Sequence, residues 1–266
     1  MDVLIFDLDN TLYPAEKHLF GLIDVRINRY MTEIVGIPAP NVDALRREYW
    51  RLYGVTLQGL IRHYGVDPED YLLYVHDVDV NSRLEPDPIL RETLAALPQR
   101  KAVFTNGSTC HASRVLSALG IEDIFEDVYD IRVAAYLPKP WPEPYHAVLE
   151  KLGTSPEHCI MIEDSRQNLQ TAKKLGMGTI LVDDGQTPDE QAAAERAFRS
   201  ALELRPDSPE SEARLALLLA SGCSGRSPAL SQFEASLVVD YAVFTVVDLF
   251  EIVDVDEDDG SSRLEH

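Results

Sequence analysis

Short apolar runs rich in β-branched residues recur along the chain, each followed by polar or glycine-containing residues and then by a helical pattern. The runs are Val3 to Phe6, Ala102 to Phe104, Cys159 to Ile162, Thr179 to Val182 and Tyr241 to Val243. Runs that are apolar on both faces are typical of strands in a parallel sheet with helices on both sides. The pattern therefore predicts an α/β fold with a Rossmann-like parallel sheet core covered by helices.

Helical patterns dominate the stretch between the first two runs. They extend over Lys17 to Val35, Val42 to Tyr53 and Thr56 to Tyr64, with interruptions at Gly36 and Gly54. In an open α/β sheet, ligands bind beyond the carboxyl ends of the strands. An insertion over residues 15–84, which leaves the sheet after the first strand, is therefore predicted to form a helical cap over that crevice.

A second helical segment precedes the last predicted strand. Asp189 to Leu204 and Pro209 to Ala220 read as two helices, and the spacing of Ala197, Ala201 and Pro206 resembles one tetratricopeptide repeat. Because such repeats need neighbours to bury their faces, a plain surface hairpin is favoured over a module that binds a protein partner.

The predicted organisation has four parts. An α/β core comprises residues 1–14, 85–186 and 237–255, with the cap at 15–84 and the helical hairpin insertion at 187–236. Residues 256–266 form an acidic tail, and the final Leu264-Glu265-His266 resembles the remnant of a purification tag.

Composition narrows the classes of partner. The 266 residues are 45% hydrophobic and carry a formal net charge of −21, which disfavours binding to a nucleic-acid backbone or an anionic membrane. No run approaches the roughly twenty apolar residues of a membrane span. The start of the chain lacks a signal-peptide pattern, which predicts a cytoplasmic protein. Cys110, Cys159 and Cys223 lack the spacing of a zinc site or a disulfide framework and are expected to be reduced.

Asp7 and Asp9 close the first apolar run. Carboxylates at the end of a buried strand are costly unless they are paired or bind a metal, and oxygen ligands suit a hard cation. The alternative is a turn or helix cap formed by Asp9, Asn10 and Thr11. The two carboxylates by themselves leave both interpretations open.

Two later segments favour a phosphate site. Thr105 and Asn106 follow the second apolar run and precede a helix. The hydroxyl of Thr105, the amide of Asn106 and the start of that helix can together bind a phosphate group. Lys139 lies between two prolines that restrict its backbone, so its ammonium group is fixed in direction. Taken alone, Thr105 and Asn106 could be ordinary helix-capping residues, and Lys139 could be a solvated loop lysine.

Glu163 and Asp164 form a second carboxylate pair after an apolar run. They supply further oxygen ligands for a magnesium ion. Ser165 follows them directly, and Asn168 lies about one helical turn beyond Asp164, where both can support the loop. Two such acidic pairs in one chain indicate a metal-dependent site at the carboxyl edge of the sheet.

The order Asp-x-Asp-x-Thr, Thr-Asn, loop Lys and Glu-Asp resembles the haloacid dehalogenase superfamily of phosphotransferases. Phe6 to Pro14, together with Val75 to Asp79, is similar to its pyrimidine 5′-nucleotidase-type branch. The resemblance covers Asp2 to Asp184 and resumes at Asp240 to Val253. The hairpin insertion departs from the family pattern.

The resemblance implies an enzyme that hydrolyses a small phosphorylated metabolite, with a nucleoside 5′-monophosphate as the expected substrate. Asp7 would be the nucleophile that forms an aspartyl-phosphate, and Asp9 the general acid and then the base. Thr105, Asn106 and Lys139 would bind the phosphate and neutralise its charge.

The resemblance also implies Mg²⁺ as cofactor. Its ligands would be Asp7, the backbone carbonyl of Asp9, Asp164 and, through a water molecule, Glu163. Ser165 and Asn168 would support these ligands from behind.

Substrate choice is assigned to the cap and the approach to it. Seven side chains are candidates for lining the entrance: Tyr13, His18, Arg26, Arg29, Tyr30, His63 and His76. Most of them are expected to be ordinary surface or core residues of helices. An aromatic or arginine side chain of this set is predicted to stack on a pyrimidine base. His76, next to Asp77, is interpreted as part of the hinge or rim between cap and core.

Three other functions are weighed. The dehalogenases of the superfamily lack a second aspartate, so Asp9 disfavours that activity. A sugar phosphomutase would use the same residues and transfer the phosphoryl group to a sugar instead of water. A partner-binding protein would act through the hairpin, although the intact set of catalytic residues argues against a scaffold without activity.

Overall fold

A five-stranded parallel sheet forms the centre of the computed structural model, which describes residues 2–182. Its strands are β1 (Val3–Phe6), β2 (Arg100–Phe104), β3 (Asp127–Tyr129), β4 (Cys159–Glu163) and β5 (Gly178–Leu181). They are ordered β3-β2-β1-β4-β5, and every neighbouring pair is parallel. The predicted α/β class is confirmed. The hairpin at 187–236, the predicted strand at Tyr241, Cys223 and the acidic tail lie outside the described residues.

Eight α-helices connect and cover the described strands. They are α1 (Leu19–Arg29), α2 (Ala39–Tyr53), α3 (Thr56–Tyr64), α4 (Pro68–Val75), α5 (Pro88–Ala96), α6 (Thr109–Leu119), α7 (Pro142–Leu152) and α8 (Arg166–Lys174). Short 3₁₀ helices occur at Ala15–Lys17, Val80–Ser82, Glu122–Ile124, Ile131–Ala134 and Pro156–His158. In this part of the chain, none of the helices combines the length and apolar character that crossing a bilayer requires.

The first predicted helix, Lys17 to Val35, is divided in the structure. His18 has a left-handed backbone, with φ 54°, and separates the 3₁₀ turn at Ala15–Lys17 from α1. A π-helical turn, Tyr30–Ile34, follows α1 directly. α2 ends at Gly54, whose φ of 85° favours glycine because a side chain there would be strained.

Two separate hydrophobic clusters support the site. One joins the sheet to α7 and α8 and includes Ile5, Phe104, Tyr145 and Met161. The other is made by residues of α1 to α4 and of the segment between α1 and α2, joined by Ile131, and it includes Met31, Leu57, Leu60, Tyr71 and Val75. Residues 15–84, called the helical insertion below, therefore carry a core of their own. The domain boundaries drawn from the sequence stay predictions.

Strand β3 was not predicted from the sequence. It has three residues, of which Asp127 is exposed and only Tyr129 is buried. It lies at the edge of the described sheet, so it lacks the continuous apolar run that marks the central strands. Cys110 and Cys159 are free thiols, as predicted.

Candidate active site

The carboxyl ends of three neighbouring strands bring the predicted site residues together. Phe6 pairs with Val103 of β2 and with Ile162 of β4, so these strands end at the same level. Asp7 follows β1 and donates its backbone N–H to the Ile162 carbonyl at 2.8 Å. Thr105 follows β2, and Glu163 is the last residue of β4. This edge is where an α/β sheet binds its ligands.

Lys139 lies at the centre of the site and is only 1% exposed. Its Nζ donates to Asp7 Oδ1, to Glu163 Oε2 and to the Phe104 carbonyl, each at 2.7 Å. Burial opposes the charged ammonium, but Asp7 and Glu163 raise the pKa of Lys139 above its ordinary value. The lysine therefore stays charged and holds the two carboxylates from β1 and β4 together.

Asn106 fixes the loop that carries Lys139. Its Oδ1 accepts from the Lys139 backbone N–H at 2.8 Å, and its Nδ2 donates to the Lys139 carbonyl at 3.2 Å. Thr105 is buried, and its Oγ1 accepts from the Gly107 N–H at 2.9 Å. The side-chain amide of Asn106 thus acts on the lysine loop, a contact that the sequence did not indicate.

Asp7, Glu163 and Asp164 form an acidic cluster in which one carboxylate oxygen from each lies within 4.8 Å of the others. Burial and then the charge of Glu163 raise the pKa of Asp7 to about 7. Burial also raises the pKa of Glu163 and of Asp164. One lysine does not offset three carboxylates, and a hard cation with oxygen ligands relieves this repulsion. The donor set therefore fits Mg²⁺.

Ser165 and Asn168 lie at the start of α8, directly after the acidic residues Glu163 and Asp164. Ser165 is the N-cap of α8, and its Oγ accepts from the Asn168 N–H at 3.5 Å. The Ser165 N–H donates to Glu163 Oε1 at 3.3 Å. Tyr145 donates its hydroxyl to the Asn168 carbonyl at 2.8 Å. The loop after Glu163 and Asp164 is thereby anchored to α7 and α8.

Two hydrogen-bond donors contact the same carboxylate oxygen of Asp9. Its Oδ1 accepts from the Tyr13 hydroxyl at 2.6 Å and from His111 Nε2 at 2.9 Å. Burial alone would raise the pKa of Asp9, but the neighbouring His111 and the bond from Tyr13 bring it below its ordinary value. The free protein therefore favours the carboxylate form of Asp9.

His111 was missed by the sequence reasoning. It lies in the first turn of α6 and is completely buried. Its ring stacks on that of His76, with centroids 4.8 Å apart and an angle of 15° between the planes. Burial and then the proximity of His111 lower the pKa of His76 to about 4. The spacing of His111 in the sequence gives no sign of its contact with Asp9, which is 102 residues away.

A cavity of about 860 Å³ extends from these carboxylates to the helical insertion. The face of α2 contributes Arg46, Arg47, Trp50 and Arg51, and α1 contributes Phe20. The side chains of Trp50 and Phe20 are 57% and 41% exposed. The cavity thus offers aromatic and cationic groups at a distance from the acidic cluster.

Most of the candidate entrance residues lie away from the cavity, as expected from the sequence. All seven lie in the described part of the chain, and only His76 lines the cavity. Tyr30 is buried in the insertion and donates to Asp70, Arg29 pairs with Glu33, and His63 stacks on Tyr49. Tyr30 belongs to the hydrophobic cluster of the insertion, and Arg29 and His63 make their contacts with other residues of the insertion.

His76 lies at the junction between insertion and core, as expected, but it is buried and does not form an exposed rim. It is the C-cap of α4, and its Nδ1 is 3.0 Å from both the Leu72 carbonyl and Ser108 Oγ. Its neighbour Asp77 faces away and pairs with Arg26 at 3.0 Å.

Comparison with known proteins identifies the family. A model described as haloacid dehalogenase-like hydrolase matches residues 1–176. Phosphate metabolism protein 8 of Saccharomyces cerevisiae is 29% identical over 207 residues, which cover 71% of this chain and 64% of the yeast protein. The chain therefore spans less than two thirds of the length of that relative.

Two further proteins are similar. Phosphoglycolate phosphatase of Pectobacterium atrosepticum is 30% identical over 197 residues, or 66% of this chain and 78% of the relative. The solved structure of L-2-haloacid dehalogenase from Xanthobacter autotrophicus is 20% identical, covers 72% of this chain and 81% of its own, and has a TM-score of 0.47. Because the family model matches well over half of the sequence, including Asp7, Thr105, Lys139 and Glu163, the chain belongs to the haloacid dehalogenase-like hydrolases.

Proposed function

We propose that the chain is a Mg²⁺-dependent phosphohydrolase that removes phosphate from a small phosphate monoester, with a nucleoside 5′-monophosphate as the substrate. One observation carries the proposal. The buried carboxylate of Asp7 is fixed by Lys139 at the end of β1, two residues before Asp9, and both line one cavity. A nucleophile beside a second carboxyl group is what phosphoryl transfer through a covalent intermediate requires.

In the first step, a carboxylate oxygen of Asp7 attacks phosphorus, and the bond from phosphorus to the leaving oxygen breaks. Asp9 gives its proton to that oxygen. A phosphate group bound beside Asp9 adds like charge, which favours the protonated carboxyl needed here. Lys139 neutralises the negative charge of the phosphate oxygens, and Thr105 binds one of them. Asn106 keeps the loop that carries Lys139 in place.

In the second step, water attacks the aspartyl-phosphate and Asp9 accepts its proton. Asp9 is a carboxylate in the free protein, which is the form that can accept this proton. Asp7, Asp164, Glu163 and the Asp9 carbonyl would hold Mg²⁺, which supplies positive charge to the phosphate oxygens when bound. Release of inorganic phosphate regenerates Asp7.

The cavity supports a nucleotide as substrate. The exposed ring of Trp50 offers a surface on which a base can stack, and stacking contributes about 1–3 kcal/mol per base. We expect Trp50→Ala to raise KM for a nucleotide about tenfold and to leave KM for phosphoglycolate nearly unchanged. Trp141→Ala is the matched control, because Trp141 is similarly exposed but does not line the cavity.

A second candidate is a compact phosphate ester with an additional acid group. Arg47 and Arg51 lie one helical turn apart on α2, and both line the cavity. Neither makes an ion pair with any residue that the structure describes, so both are free to bind a carboxylate. The similar protein from Pectobacterium atrosepticum is a phosphoglycolate phosphatase.

The test is release of phosphate from UMP, CMP, AMP, GMP, phosphoglycolate and glucose phosphates, in Mg²⁺ and in EDTA. Magnesium-dependent release that favours nucleotides, and that falls at least about 1,000-fold in Asp7→Asn, would support the proposal. Preference for phosphoglycolate would favour the second candidate. If no compound releases phosphate, the hydrolase proposal fails, and isomerisation of the sugar phosphates would indicate a phosphomutase.

A further inference from the structure

Both donors to Asp9 act on one of its two carboxyl oxygens. Tyr13, four residues along the chain, and His111, from α6, each donate to Oδ1. No residue in the described part of the chain donates to Oδ2. The carboxyl group is therefore fixed in rotation, with Oδ1 occupied and Oδ2 left for a ligand in the cavity that Asp9 lines.

The orientation of His111 is itself fixed by its surroundings. The side chain is completely buried, and Nε2 is its hydrogen-bonding atom because Nδ1 has no partner among the described residues. Its backbone N–H donates to Ser108 Oγ at 3.3 Å, in the N-cap of α6. One face of the ring lies against His76.

The position of the His111 ring depends on the His76 ring that stacks against it. His76 is anchored in turn to Leu72 of the helical insertion and to Ser108 of the core.

We propose that His111 is a positioning residue for Asp9, and that His76 braces it. The inference rests on the proposed function. The donor from His111 directs Oδ2 toward the leaving oxygen of the substrate. When the Asp7–phosphorus bond forms and the phosphorus–oxygen bond breaks, the departing oxygen keeps the electron pair and takes the proton from Oδ2.

Substrates with different leaving groups separate this role from a general structural one. An alkyl phosphate needs its leaving oxygen protonated, whereas p-nitrophenolate departs without that help. The measured quantity is kcat/KM, which reports the first irreversible step, for an alkyl phosphate and for p-nitrophenyl phosphate. The ratio of these two kcat/KM values in Asp9→Asn is the value expected when proton transfer is lost.

His111→Leu removes the donor at similar volume, whereas His111→Gln keeps an amide N–H near the position of Nε2. We expect His111→Leu to lower kcat/KM about 100-fold for the alkyl phosphate and less than about tenfold for p-nitrophenyl phosphate. His111→Gln should recover most of the alkyl activity. Circular dichroism and thermal melting establish that each variant is folded.

Equal loss on both substrates in folded His111→Leu would overturn the proposal, as would a folded His111→Gln no better than the leucine variant. If His111→Leu does not fold, His76→Ala carries the test. This variant keeps the His111 donor but removes the ring that braces it. The ratio of kcat/KM for the alkyl phosphate to kcat/KM for p-nitrophenyl phosphate should fall about threefold or more. An unchanged ratio would overturn the proposal. A wild type inactive on both substrates would instead refute the hydrolase function.

Discussion

The negative charge of Asp7 is predicted to destabilise the protein when no metal is bound, although the proposed reaction requires it. Burial of the carboxyl group, and then the charges of Glu163 and Asp9, raise its pKa from 3.8 to about 7. Asp7→Asn keeps the shape of the side chain and an oxygen that can accept from Lys139. The variant should therefore be inactive but more stable than the wild type in EDTA.

The magnitude follows from linkage. Folding raises the pKa of Asp7, so the folded state binds a proton that the unfolded state releases, and stability falls as pH rises from about 4 to about 7. At about 1.4 kcal/mol per pKa unit, the full penalty above pH 7 is about 4 kcal/mol. Loss of the charge partner of Lys139 offsets part of this, so we expect a net gain of about 1–3 kcal/mol at pH 8. The gain should shrink toward pH 4.

Urea denaturation in EDTA at pH 8 and pH 5 measures the difference. Asp130→Asn is the control, because Asp130 is also buried but accepts from the backbone N–H and hydroxyl of Thr109 at 2.8 and 2.7 Å. That variant should lose stability at pH 8. Mg²⁺ should stabilise the wild type more than Asp7→Asn. The reasoning is refuted if Asp7→Asn is the less stable protein at pH 8 in EDTA, or if its advantage does not depend on pH.

Three further changes test the site and the insertion. Lys139→Met should lower kcat at least about 100-fold in a phosphate-release assay, because it removes the positive charge that the proposed mechanism places beside the phosphate oxygens; a loss below about tenfold would contradict this. Glu163→Gln should raise the Mg²⁺ concentration for half-maximal activity about tenfold; an unchanged titration would argue against its role near the metal. Gly59→Ala should cost at least about 1–3 kcal/mol in thermal melts, since its Cβ would lie 2.1 Å from Tyr49 Cγ. Gly21→Ala, with nothing within 4 Å, is the matched control and should be neutral or stabilising.

The central sheet and the meeting of the acidic residues could be predicted because both follow from local patterns. Four continuous apolar runs mark β1, β2, β4 and β5, and in parallel strands the residues after such runs share one edge. Asp7, Thr105 and Glu163 therefore had to lie near one another. Lys139 comes from a loop, and the sequence predicted its place beside Asp7 only through the family resemblance.

The partner of Asp9 and the lining of the cavity depend on how helices pack. His111 is one buried polar residue in an otherwise apolar helix face, and no period in the sequence relates it to Asp9. Arg47, Trp50 and Arg51 do share helical spacing, which predicts one face of α2. Whether that face meets the site or solvent depends on the placement of α2 over the sheet, which the sequence pattern alone does not determine.

Helix α4 joins the helical insertion to the core at both ends, and the two joints differ in strength. At its start, Glu69 accepts two hydrogen bonds from Arg132 at 2.7 Å and one from Tyr136 at 2.6 Å. Both partners of this ion pair are substantially exposed, so it contributes about 0–1 kcal/mol.

At the end of α4, His76 is buried, stacks on His111 and lies within hydrogen-bond distance of Ser108. Loss of a buried polar contact costs about 1–3 kcal/mol, more than the exposed pair provides. The joint at His76, which continues through His111 to Asp9, is therefore the stronger of the two. A shift of the insertion large enough to break it would also remove the ring that stacks on His111, the proposed positioning residue for Asp9.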